Sequence, residues 1–349
     1  MDNNFEPLVT VIMCTYRRPK LLKRAMNSVL NQTYPHLRLC IYDDASGDET
    51  PEVAAEFTKR DARVVYQCHE KNLGAFLNPL YGIDRVDTPF FALCADDDVF
   101  LPQHLEFAME GFRQYPQAGI SCNQTICIDE AGRVRQVSMP DSRAGLYRPA
   151  EGIMLLLLKE PTLLTSGVVR KEVLDKGVSF DKETGMLLDW DFSFQVAAQF
   201  PFVLTQQPGV IFVQQPSSFA TSNLIEFQWP KWLKMYRKLL DHPLLDADTK
   251  KAVEFHLKNR LRSLLVNQGK QAIMGKNYQT ARLAAETLKE FFQSKRLYLK
   301  LTALSLLCKY FPPLHWVLNL HGSLRKKKKI FQARNHFPEY QQYAAYLKN

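Results

Sequence analysis

Six apolar residues, Phe90-Phe-Ala-Leu-Cys-Ala95, run straight into three consecutive carboxylates, Asp96, Asp97 and Asp98. A run of that length bounded by polar residues suits a strand buried on both faces of a parallel sheet. The acids then fall at the strand's C-terminal end, where open α/β sheets bind their ligands. Three adjacent carboxylates repel one another, and they become tolerable when a divalent cation or hydrogen-bond donors neutralise them. Taken alone, the triplet is equally consistent with a solvated acidic turn capping a helix that begins near Pro102.

The segments before it repeat the pattern. Residues 8–14 are β-branched and apolar and predict a first strand. Apolar residues at helical spacing over 21–30 place Ala25, Val29 and Leu30 on one side, and Gln32-Thr-Tyr-Pro35 ends that helix. Residues 37–42 predict a second strand, which also ends in acids, Asp43 and Asp44. Turn chemistry follows at Ala45-Ser-Gly-Asp48, then a helix over 50–59, a short strand over 63–66, a loop at 72–74 and a helix to about Asp84. This alternation predicts an α/β, doubly wound, mostly parallel sheet with flanking helices. Two of its strands would end in aspartates at the same edge.

Charge divides the chain. Residues 222–349 hold 24 Lys and Arg against 8 Asp and Glu, whereas the first 221 hold 21 against 28. An acidic domain over 1–222 therefore carries a basic region over 223–349, an asymmetry that usually marks contact with an anionic surface. Seven scattered cysteines do not make a disulfide framework, and Cys122 and Cys127 lack a second pair or histidines at zinc-site spacing. Buried thiols in a reducing compartment are the expectation. No basic n-region precedes the first apolar run and no run reaches 18 apolar residues, so neither a signal peptide nor a spanning helix is predicted.

Taken together, Val9-Thr-Val-Ile-Met-Cys-Thr-Tyr-Arg-Arg-Pro19, Ser28-Val-Leu-Asn-Gln-Thr-Tyr-Pro35, Ile41-Tyr-Asp-Asp-Ala-Ser-Gly-Asp48, Asn72-Leu-Gly74 and Asp96-Asp-Asp-Val-Phe-Leu-Pro102 resemble the family 2 glycosyltransferases of the GT-A fold, in order and in spacing. The resemblance covers roughly residues 7–220. It implies an inverting, metal-dependent enzyme that moves a sugar from a nucleotide-sugar, a UDP- or dTDP-sugar, to a hydroxyl of a cell-surface glycan or its lipid-linked precursor. It implies that Asp44 accepts the imide N–H of the base while Thr15 and Tyr16 shape the base site and stack on the base, with Arg17 also among the nucleotide-sugar-binding residues. Asp43 either helps or caps the following turn. Lys71 is either a donor to the nucleotide or a solvated loop lysine. Asp96, Asp97 and Asp98 would hold ribose and a divalent cation, Mg²⁺ or Mn²⁺, with Asp96 and Asp98 as the metal pair. The commonest family pattern, Asp-x-Asp-Asp, is shifted here, with Ala95 at its first position, and Gln214 or Gln215 stands near the place of a metal-site His.

The second half of the site is expected from Thr165-Ser-Gly-Val-Val-Arg-Lys-Glu-Val173 and Leu187-Leu-Asp-Trp-Asp-Phe-Ser-Phe194. A single displacement needs one positioned base. Asp189 aligns best with it and Asp191 is the runner-up, though either residue could instead cap a helix. Leu188 stands where the family often has Glu, and Trp190 is either an apolar wall for substrate or core.

From Trp229 onward the pattern turns to basic amphipathic helices. Asp248 is placed to cap one running to about Gln268, with Val253, Leu257, Leu261, Leu264 and Leu265 inward. Residues 277–292 form a second and residues 297–311 a leucine-rich third, followed by Pro312-Pro313, an apolar stretch over 315–320 and Arg325-Lys-Lys-Lys-Lys329. Such a region suits an anionic membrane surface, or a bundle packed on the catalytic domain or on a second copy in a homo-oligomer. The corresponding location is the cytoplasm, peripheral on the inner face of the cytoplasmic membrane. No nucleic-acid partner is expected. Two rival readings remain. A nucleotidyltransferase would need glycines after the first strand, which Thr15-Tyr-Arg-Arg lacks. A catalytically degenerate GT-A protein would act as a membrane- or nucleic-acid-binding module.

Overall fold

The computed structural model describes residues 6–129, 131–159, 163–214, 229–311, 313 and 337–347. Two compact units divide the chain, one made of residues up to 218 together with those from 337 onward, the other of residues 219–336. The first unit contains the strands β1 (Val9–Thr15), β2 (Leu37–Asp43), β3 (Val64–Cys68), β4 (Phe90–Ala95), β5 (Val99–Phe100), β6 (Ile120–Asp129), β7 (Val134–Val137), β8 (Gly145–Tyr147), β9 (Gly167–Arg170) and β10 (Phe202–Gln214). Its helices are α1 (Pro19–Leu30), α2 (Thr50–Arg60), α3 (Leu77–Ile83), α4 (His104–Gln114), α5 (Pro149–Lys159), α6 (Leu163–Ser166), α7 (Glu172–Asp175) and α8 (Leu188–Gln199).

One sheet runs in the order β3-β2-β1-β4-β9-β6-β10-β5, with β7 on β6 and β8 on β10. Its first half is parallel, as the alternation of strands and helices predicts. The second half corrects the expectation of a mostly parallel sheet. There β6 and β10 are parallel, but β9 lies antiparallel between β4 and β6, and β5 pairs antiparallel with β10. The reversal enters earlier: β7 folds back on β6 and β8 runs antiparallel to β10, and α5 then returns the chain so that β9 keeps the direction of β8. Gly167 permits the junction of α6 with β9, since a Cβ there would stand 2.1 Å from the Leu163 carbonyl oxygen.

The core lies where apolar residues of β1, β2 and β4, such as Val11, Ile41 and Ala92, meet Leu22 and Met26 of α1, Phe57 of α2 and Phe112 of α4. Gln32, in the motif after α1, links this layer to the next. Its amide donates to the Leu101 carbonyl (2.7 Å) and its oxygen accepts from the Leu105 N–H (2.9 Å), an otherwise orphaned donor of the first turn of α4.

His104 opens α4 fully buried. Asn123 Nδ2 donates to its Nδ1 (2.8 Å), Thr205 fixes the Asn123 orientation, and Nε2 is buried without a partner. Burial pushes the imidazole down to about 3, against about 6.5 in an unfolded chain. The neutral ring is therefore fully tolerated above about pH 6.5, and stability is lost as pH falls towards 3. Between pH 7 and 4.5 the native chain should lose about 3 kcal/mol that His104→Leu does not lose. Urea unfolding of both proteins at the two pH values measures this; equal losses would contradict it.

A second apolar cluster joins Val99, Leu101, Ile126, Ile128, Val134, Val137, Ile211 and Val213, and it is covered from the far end of the chain. The 3₁₀ helix Pro338–Leu347 lays Tyr340, Tyr343 and Ala344 on it. Side chains three apart eclipse in a 3₁₀ helix, so Phe337, Tyr340, Tyr343 and Tyr346 form one aromatic row. Tyr340 Oη donates to Gln124 Oε1 (2.9 Å). The expected single C-terminal region, 223–349, is corrected accordingly: its last described segment belongs to the first unit.

The second unit contains α9 (Trp229–Leu240), α10 (Ala247–Met274), α11 (Tyr278–Glu290) and α12 (Lys295–Tyr310). Asp246, not Asp248, caps α10 by accepting from the Thr249 N–H (2.8 Å). Asn277 caps α11. Val253, Leu257, Leu261 and Leu265 are buried as the periodicity predicts, while Leu264 is half-buried. The stretches 314–320 and 325–329 lie outside the described residues. No helix among the described residues is long and apolar enough to cross a membrane.

Candidate active site

Register brings the acids together. β1 pairs with β2 so that Thr15 lies beside Asp43, and with β4 so that Cys14 lies beside Ala95. The strand order reverses at β1 and β4, the place where open α/β sheets bind ligands, and Thr15, Asp44 and Asp96 stand at the ends of β1, β2 and β4. The turns leaving β1 and β2 each hold a non-glycine residue in the left-handed region, Arg17 (φ 55°) and Ala45 (φ 58°). Such residues cost about 1–3 kcal/mol and persist where surroundings over-determine them. Ser46 does so here: its Oγ accepts from the Arg17 N–H (2.9 Å) and its carbonyl from Arg17 Nε (3.0 Å). Asp43, fully buried, accepts from the Ser46 N–H, the Ser46 hydroxyl and Tyr66 Oη. Its place is the cap of that turn.

Asp44 is also buried, and its two oxygens accept the backbone N–H groups of Leu73 (2.5 Å) and Gly74 (2.9 Å). Asn72 Nδ2 donates to the Asp44 carbonyl (3.1 Å), so the loop carrying the exposed Lys71 is fastened to the end of β2. A carboxylate has about four acceptor sites, which leaves capacity for a further N–H. Tyr16 is exposed, with the Arg17 guanidinium 5.1 Å from its ring centre.

In the triplet, Thr15 Oγ1 donates to Asp96 (2.8 Å), and one guanidinium nitrogen of Arg18 bridges Asp96 (3.2 Å) and Asp97 (3.0 Å). Thr15 thus orients an acid. Arg24 donates to the Asp97 carbonyl (2.7 Å). Asp98 accepts from the Val213 N–H (3.2 Å), which puts Gln214 beside the triplet; Gln215 lies outside the described residues. Burial pushes Asp96 up to about 6, with the Thr15 and Arg18 contacts opposing it, and it pushes Asp98 well above the usual carboxylate range. Among the described residues no three His, Cys, Asp or Glu side chains converge as a metal cage. Two oxygen donors fit a Mg²⁺ or Mn²⁺ that brings its remaining ligands with a diphosphate, the usual way such ions bind.

The other wall begins at α8, in contact with α6, which itself packs on β4. Asp189 is exposed by surface area yet closely surrounded by protein. Desolvation raises its pKa, the Trp190 N–H (2.8 Å) opposes the shift, and its openness to water limits it. Asp191 is buried and accepts from Gln195 Nε2 (2.7 Å), which also donates to the Ser179 carbonyl (2.9 Å). That geometry ties α8 to the preceding loop. Of the two acids, Asp189 is the exposed one. Trp190 is half-buried, its ring 5.8 Å from that of Phe194.

Sequence reasoning missed Arg18 and Arg24. The signal was present: three acids at the end of β4 need cations, and the residues after β1 are the nearest in a β1–β4 pair. Only the pairing itself distinguishes Arg18 from Arg17.

Residues 10–177 match the family model described as Glycosyl transferase family 2. An uncharacterized glycosyltransferase of Methanocaldococcus jannaschii is 25% identical over 189 residues, 54% of this chain and 63% of its own. The GalNAc(5)-diNAcBac-PP-undecaprenol beta-1,3-glucosyltransferase of Campylobacter jejuni is 31% identical over 105 residues, 30% of this chain and 34% of its own. The chain therefore spans less than two thirds of the length of these relatives. Among solved structures, S. aureus TarS 1-349 in complex with UDP-GlcNAc matches with a TM-score of 0.66, covering 96% of this chain and 92% of that one at 16% identity. At that identity the likeness is one of fold, and the fold is GT-A.

Proposed function

Because the domain spanning residues 10–177 belongs to glycosyl transferase family 2, we propose that the chain is an inverting, metal-dependent transferase. It would move a sugar from a UDP- or dTDP-sugar to a hydroxyl of a cell-surface glycan or its lipid-linked precursor. The observation that carries this reading is the convergence of Asp44, Asp96 and Asp98 at one sheet edge, with the accessible Asp189 on a neighbouring helix. The lipid-linked precursor is supported by the Campylobacter relative's name and by the basic second half of the chain. On this reading the enzyme works in the cytoplasm, on the inner face of the cytoplasmic membrane.

Asp44 accepts the imide N–H of the pyrimidine, and Tyr16 offers its exposed ring to the base. Arg17 and Lys71 supply positive charge at the nucleotide, and Asp97 keeps Arg18 at hand. Asp96 and Asp98 would hold a divalent ion, which supplies Lewis-acid stabilisation of the departing diphosphate. Arg18, which bridges Asp96 and Asp97, would supply a further cation for the phosphates. Asp189 takes the acceptor hydroxyl's proton as that oxygen attacks the anomeric carbon. The new glycosidic bond forms as the bond to the diphosphate oxygen breaks on the opposite face.

Incubation with UDP-, dTDP- and GDP-sugars and Mn²⁺ tests the reading. Release of UDP or dTDP supports it, and release from none would leave the degenerate binding module. Asp44→Ala should weaken UDP binding by about 10-fold or more, through the lost imide contact and the loosened 72–74 loop. Binding of a purine diphosphate should change less. Calorimetry on both nucleotides checks this, and a wild type that prefers GDP would contradict the assignment.

A further inference from the structure

The helix α12 packs through one side only. Leu301 and Cys308 are buried, and Leu297, Tyr298 and Leu304 complete the side that meets α10 and α11. At about 100° per residue, the opposite side is centred on Leu299, Ala303, Leu306 and Tyr310, with Leu307 at its margin and Phe311 just beyond the last turn. The large apolar residues among these are 51–74% exposed. Exposed Lys295 and Lys309 flank this face on one side, and exposed Arg296 and Lys300 on the other. No acid occurs anywhere in residues 295–310.

We propose that this face of α12 docks the protein on an anionic lipid bilayer, lying in the interface plane. Sixteen residues of helix are too short to span a bilayer and suffice for interfacial burial. Long basic side chains on both flanks can keep their charges among lipid headgroups while their stems and the central leucines sink below them. The charge pattern selects this occupant over a second copy of the chain. The spacing of Leu299, Ala303, Leu306 and Tyr310 would suit a helix pair, but pairing α12 with itself sets Lys and Arg against Lys and Arg with no acid to offset them. The net positive charge of residues 222–349 reinforces attraction to an anionic surface. Docking here does not depend on the transferase reading, because vesicle binding requires no donor.

The test uses the full chain and vesicles of phosphatidylcholine with phosphatidylglycerol, against phosphatidylcholine alone. Wild type should co-sediment with the anionic vesicles and detach as salt rises. Lys300→Gln combined with Lys309→Gln should weaken that binding by about 30-fold at low salt, near fivefold per charge. Leu299→Ser combined with Leu306→Ser should weaken it at every salt concentration. All four positions are exposed, so thermal unfolding of both variants should match wild type, and either variant alone suffices if the other does not fold. Failure of wild type to bind, or wild-type binding by both variants, would overturn the proposal; the latter would move the contact elsewhere, such as to Lys326–Lys329. Lipid-free self-association that Leu306→Ser abolishes would also overturn it, making the face a seam between copies.

Discussion

Asp96→Asn is expected to cut turnover by about 10³-fold or more while making the donor-free protein more stable at neutral pH. On the proposed reading the catalytic loss follows from removing a charged ligand of the ion that would hold the diphosphate; losing one preorganised stabiliser typically costs about 10²–10³. The gain in stability follows from desolvation. Burial holds Asp96 near 6 in the folded chain, against about 3.9 unfolded. Its contribution is fully present below about pH 4 and is lost as pH rises through 6, leaving a cost of about 3 kcal/mol at pH 7.5. Asparagine carries no charge to desolvate. The variant should therefore melt above wild type at pH 7.5 and close to it at pH 4, both in chelator. A lower melting temperature at pH 7.5 would mean that the Thr15 and Arg18 contacts, not desolvation, dominate at this position.

Asp189→Asn is expected to lower kcat by about 10²–10⁴-fold with donor affinity little changed. A sugar hydroxyl is a poor nucleophile at neutral pH until a base takes its proton, and the amide keeps the shape without the basicity. Asp191→Asn should act differently. It disturbs the bond from Gln195, which also holds the Ser179 carbonyl, so it should cost about 1–3 kcal/mol of stability with a smaller effect on kcat. A dead Asp191→Asn beside a normal Asp189→Asn would exchange the two roles.

How much of this was legible follows the range of the forces involved. The strands β1, β2 and β4 and their terminal aspartates are written in short apolar runs and β-branched residues, and a parallel register then makes the acids neighbours. The capping contacts of Asp43 and Asn277 are likewise local, although the sequence left the first open and did not single out the second. Asp246 and Asp248 carry the same side chain two residues apart, and only the backbone path into α10 decides which one meets the Thr249 N–H. The antiparallel β9 and the Arg18 bridge depend on pairings between distant segments, which periodicity does not encode. The return of the 3₁₀ helix to cover Val99, Ile126 and Val213 depends on an apolar patch assembled from four strands. Its aromatic repeat every three residues was the one available signal.

Calorimetric titration of UDP into wild type and Asp96→Asn, each with Mn²⁺ and with chelator, tests the central claim most directly. On the proposed reading nucleotide and ion are held together at the end of β4, so Mn²⁺ should strengthen UDP binding to wild type by about 10-fold or more, more than 1.4 kcal/mol, and leave the variant unaffected. Equal UDP affinity in all four titrations would contradict the account.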